Sequence, residues 1–103
     1  MNLLKLPPFT VTLWFRVNQE TATLKTKLIE AAEVFPYENF EYQGMQDMHW
    51  GAETETEAKE LLERLKPFTS NANVVVLKLS GRDESFRPII CKDERHGKRT
   101  DRS

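Results

Sequence analysis

Apolar and polar residues alternate strictly from Phe9 to Val17: Phe9, Val11, Leu13, Phe15 and Val17 hold one phase, Thr10, Thr12, Trp14 and Arg16 the other. A period of two in a segment rich in β-branched and aromatic residues predicts a half-buried strand. The period then changes. Asn18 supplies an N-cap, and Glu20 falls in a first turn, where the helix dipole favours a carboxylate. Leu24, Leu28, Ala31, Ala32 and Phe35 recur at helical spacing up to a stop at Phe35-Pro36.

Between residues 40 and 52, Phe40, Tyr42, Met48 and Trp50 share one alternation phase across the polar centre GMQD. One bent strand or a tight hairpin fits this pattern. Turn chemistry at Gly44 to Asp47 favours the hairpin, and Trp50, in phase with the other three, is expected to pack beneath the helices. Thr54 and Glu57 then form a capping box ahead of a stripe of Ala58, Leu61, Leu62 and Leu65, which ends before Pro67. This predicts a second helix. Its outer side carries Glu55 with Lys59 and Glu60 with Arg64, acid-first pairs worth about 0.2 to 0.5 kcal/mol each, as a solvated face would.

Asn73 to Leu79 reads NVVVLKL, apolar in both phases, which predicts a strand inside the sheet. After the polar loop SGRDES, the segment FRPIIC predicts an edge strand, because Pro88 has no amide to donate. Residues 92–103 have five Lys or Arg, three Asp or Glu and almost nothing apolar, so they are expected to form a disordered charged tail after a single domain spanning 1–91.

The resulting order, β-α-β-β-α-β with an extra C-terminal edge strand, is the split βαβ arrangement of a ferredoxin-like α+β sandwich. Right-handed crossovers place both helices on one face of an antiparallel sheet, against Phe9, Leu13, Phe15, Val75, Leu77 and Leu79. The opposite face is left open.

Length and charge narrow the functional classes. A chain of 103 residues suits one core, and 15 Lys plus Arg against 16 Asp plus Glu give a net charge of −1, with no global field to attract nucleic acid or anionic lipid. The longest apolar run, Val74 to Leu77, is far short of the roughly 20 residues that cross a bilayer, so no membrane association is expected. The start MNLLKLPP lacks the h-region and cleavage site of a signal peptide, and the single cysteine, Cys91, suits a reducing compartment. A cytoplasmic location is expected.

Candidate chemistry is sparse. A thiolate dyad would need Cys91 with His49 or His96, and a zinc site would need short paired spacings that these three residues lack. Gly44, Gly51, Gly81 and Gly97 are isolated, so no phosphate-cradling loop is present. Neither a metal nor another cofactor is expected, and catalysis is disfavoured. Trp14 beside Arg16 could stack a base, but the glycine-aromatic pattern of an RNA-recognition motif is absent, which argues against nucleic acid.

What remains is the open sheet face, to which alternation assigns Thr10, Thr12, Trp14, Arg16, His49, Val74, Val76, Lys78, Ile89 and Cys91. Trp14, Val74, Val76 and Ile89 would lie on neighbouring strands as one apolar patch of the kind that marks an interface. The leading expectation is a non-enzymatic interaction or regulatory domain that binds a protein partner, or itself as a homodimer, through Trp14, Arg16, His49, Val74, Val76 and Ile89. The alternative is a small-molecule-binding or catalytic domain with a cleft lined by Trp14, Arg16 and His49. Coverage of the face by the N-terminal LLKL segment is the reading without a function.

Overall fold

A computed structural model describes residues 7–81 and, for the backbone alone, residues 86–91. Strand β1 spans Phe9–Arg16, helix α1 Leu24–Ala32, strands β2 and β3 Glu38–Tyr42 and Met45–Ala52, helix α2 Glu55–Leu65, and strands β4 and β5 Val74–Ser80 and Phe86–Cys91. Short 3-10 turns cover Gln19–Thr21 and Lys66–Ser70. The strands form one sheet in the order β2-β3-β1-β4-β5, and every neighbouring pair is antiparallel.

The alternation of β1 sends Val11, Leu13 and Phe15 to one side. There they join Met48 and Trp50 of β3, Leu77 and Leu79 of β4, and the apolar stripes of both helices: Leu24, Leu28 and Ala32 of α1, and Ala58, Leu61, Leu62 and Leu65 of α2. Both helices therefore cover the same face of the sheet, and burial of these stripes is the main stabilising term. Trp50 is 0% exposed, and its indole Nε1–H donates to the Val34 carbonyl at 3.0 Å, so its polar edge is satisfied inside the core.

Caps fix the helix ends. In α2, Thr54 Oγ1 accepts from the Glu57 amide at 3.1 Å, and the Glu57 carboxylate accepts from the amide of Glu53, one residue before the cap. Arg64, expected on the solvated side, reaches across from α2 and donates Nε–H to the Ala32 carbonyl at 3.2 Å, capping the last turn of α1. The Asn18 cap forms too, but on a smaller element. Asn18 Oδ1 accepts from the amides of Glu20 and Thr21 while Thr21 Oγ1 accepts from the Asn18 amide, which closes a 3-10 turn and delays the α-helix to Leu24. Glu33 then ends α1 in the left-handed region at φ 68, so Phe35 lies beyond the helix and is exposed.

Two local features move side chains to the face opposite to the one alternation assigns. The hairpin forms, but its turn is Gln43-Gly44, with φ of 52 and 80, and not Gly44 to Asp47. Tyr42 then pairs with Met45 and Phe40 with Asp47, so Phe40 and Tyr42 stand on the face opposite to Met48 and Trp50. In β4, a bulge shifts the register between Trp14↔Val76 and Phe15↔Val74, leaving Val75 as the extra residue. Val74 therefore joins the core beneath the helices, whereas Val75, expected there, is buried outside that cluster. Val17 lies past the end of β1 and is partly exposed. The LLKL segment and the charged tail lie outside the described residues.

Candidate functional site

The face away from the helices is organised around His49. Thr12 and His49 are direct cross-strand partners, and their side chains meet with Thr12 Oγ1 2.9 Å from His49 Nδ1. His49 Nε2 lies 2.8 Å from Asp47 Oδ1, two residues along the same face of β3. The imidazole stacks against Phe40, with ring centroids 6.4 Å apart and planes at 28°, and meets Tyr37 at 6.2 Å. Tyr37 Oη in turn lies 3.3 Å from Thr10 Oγ1.

A hydroxyl, an imidazole and a carboxylate in series resemble the parts of a nucleophilic relay. That chemistry needs the hydroxyl open to a substrate carbonyl. Thr12 is 2% exposed, so its oxygen has no approach route. The network instead satisfies a buried hydroxyl and fixes the orientation of the His49 ring on the sheet surface.

The expected site residues divide into three groups. Trp14 and His49 share this face, with Asp47 directly beside Trp14 in register, and the Lys78 ammonium lies 5.7 Å from the Trp14 ring centroid in a cation–π contact. Arg16 lies at the end of the same face opposite Met45 and donates to the Ala72 carbonyl at 3.4 Å. Val76 is beside Trp14 but only 4% exposed, and Val74 faces the helices, so neither contributes to an open patch. Ile89 occupies the step where the β4–β5 register shifts, and its side chain, like that of Cys91, lies outside the described residues, as does the whole of His96.

The exposed apolar surface lies elsewhere. Among the described residues, the exposed large hydrophobic side chains are Val17, Val34, Phe35, Tyr37, Phe40 and Tyr42, so all but Val17 fall between positions 34 and 42. Phe40 and Tyr42 are 46% and 67% exposed, on an edge strand of which every residue is exposed. Placing the turn at Gln43-Gly44, a residue pair that ends in glycine, would have revealed them from the sequence.

Pro7 also borders this surface. A Cβ at Gly51 would stand 2.6 Å from Pro7 Cγ and 3.4 Å from Tyr37 Cδ2, so the glycine is what lets Pro7 pack against β3 beside Tyr37. Among the described residues, no three His, Cys, Asp or Glu side chains gather as a metal-ligand set, and no helix is long and apolar enough to cross a membrane. The chain matches no protein-family model, no curated protein and no solved structure.

Proposed function

We propose that this chain is a non-enzymatic interaction domain that docks a protein partner, a second copy of itself included, through the β2 end of the sheet face not covered by helices. The single observation carrying this reading is the concentration of exposed Tyr37, Phe40 and Tyr42 beside the oriented His49 ring. Aromatic side chains exposed together, with limited rotamer freedom to lose, are the residues that interfaces favour. The buried Thr12 hydroxyl weighs against an acyl-transfer reading of the same cluster. Strand order β2-β3-β1-β4, with both helices on one side, supports classing the fold as ferredoxin-like with β5 appended.

Positional photo-crosslinking tests the reading. Benzoylphenylalanine is placed at Tyr42 and, as a control, at Glu60 on the outer side of α2. The chain is irradiated both pure at high concentration and in an extract of cells that produce it. The reading expects a discrete adduct from position 42 and none from position 60. No adduct from position 42, or the same adducts from both, would overturn it.

A further inference from the structure

We infer that the β2 edge of the sheet accepts an extended, lysine- or arginine-rich segment of a partner protein as an added strand. This deepens the interface reading above and rests on it.

Three observations converge on segment 34–42. The first concerns the backbone. β2 pairs with β3 and ends the sheet. Across a two-residue turn, Tyr42 and Met45 are the pair that exchanges both backbone hydrogen bonds, so alternation gives Phe40 and Asp47 the same role and turns the N–H and C=O groups of Asn39 and Glu41 outward. Outward amides on an edge strand are a template for strand addition.

The second is that β2 is exposed on both sides. Asn39 and Glu41, which share a phase with Met48, remain exposed on the helix side, so a strand laid along the edge meets no helix. Phe40 and Tyr42 offer apolar contacts on the other side at alternate positions, the spacing at which an added strand presents its own side chains.

The third observation selects the chemistry. No lysine or arginine occurs between Lys27 and Lys59, whereas Glu33, Glu38 and Glu41 lie within or next to this segment and are exposed. Arg16, two strands away, turns to the Ala72 carbonyl. The β2 strand of a second copy would bring two more carboxylates, Glu38 and Glu41, and no cation to offset them. A basic strand is attracted there instead.

The test titrates the labelled full chain with a blocked decapeptide alternating valine and lysine, and with its glutamate counterpart, and follows the amide shifts. The lysine peptide should give saturable shifts centred on Asn39 and Glu41 that weaken as salt is raised, and the glutamate peptide none. Glu38→Lys/Glu41→Lys, at two exposed positions, should weaken the lysine peptide about tenfold or more and admit the glutamate peptide. Absent shifts, equal shifts with both peptides, or shifts centred on Trp14 and Val76 would overturn the inference. A crosslink at position 42 together with any of these results rejects only the basic strand; loss of the crosslink rejects the interface itself.

Discussion

Tyr42 stands directly opposite Met45 across the Gln43-Gly44 turn, and this pairing sends Phe40 and Tyr42 to one face of the sheet and Met48 and Trp50 to the other. A turn of two residues joins an even-numbered position to an odd-numbered one. The single alternation phase that Phe40, Tyr42, Met48 and Trp50 share along the chain is therefore split between the two faces once the hairpin closes.

The turn itself gives the first prediction. Positive φ at both central positions is the signature of the turn that favours Asn-Gly. Gln43→Asn should raise stability by up to about 1 kcal/mol, and Gly44→Ala, at φ 80, should lower it by about 1 kcal/mol. Denaturant midpoints for the two variants check this; equal midpoints would mean the turn is built differently.

The tryptophans should separate. Trp50→Ala removes a fully buried ring and leaves the Val34 carbonyl without its donor, at a cost of about 3 to 5 kcal/mol. Trp14 is half-buried on the open face, so Trp14→Ala should cost clearly less. Chemical unfolding of both, side by side, measures the difference, and a larger loss at Trp14 would reverse the assignment of faces.

Helix α2 supplies an internal control. Leu61→Ala and Leu65→Ala should each cost about 2 to 5 kcal/mol, and Glu60→Ala no more than about 0.5 kcal/mol. Three similar midpoints would show that the helix is rotated from the phase described.

Much of this was legible along the chain, because local periodicity and burial agree wherever an element is regular. The phase of β1, the stripe and Thr54 cap of α2 and the interior position of β4 all follow from residue patterns. Periodicity and structure part where one residue changes the count. The Val75 bulge carries Val74 into the core, and the turn carries Phe40 and Tyr42 out of it, whereas Val76 keeps the face that alternation assigns but is buried there beside Trp14. Alternation contains no term for a bulge or a turn, so the residues it assigns to the open face lie on β1, β3, β4 and β5, whereas the exposed aromatic side chains beside His49 lie at Tyr37 and on β2.

Gly51 offers a test of how Pro7 meets the sheet. Gly51→Ala would place its Cβ 2.6 Å from Pro7 Cγ, so the chain before β1 must shift or the fold must lose about 1 to 3 kcal/mol. Unchanged stability together with unchanged amide shifts for Phe9 and Tyr37 would show that Pro7 does not pack there.

The proposed interaction surface exists only if Phe40 points away from the helices. Nuclear Overhauser contacts from the Phe40 ring in the labelled full chain report that direction. Contacts are expected with the His49 ring, whose centroid lies 6.4 Å away, and none with Leu61 or Leu65 of α2. Contacts between Phe40 and those leucines would place the ring beneath the helices and contradict the proposed interaction surface.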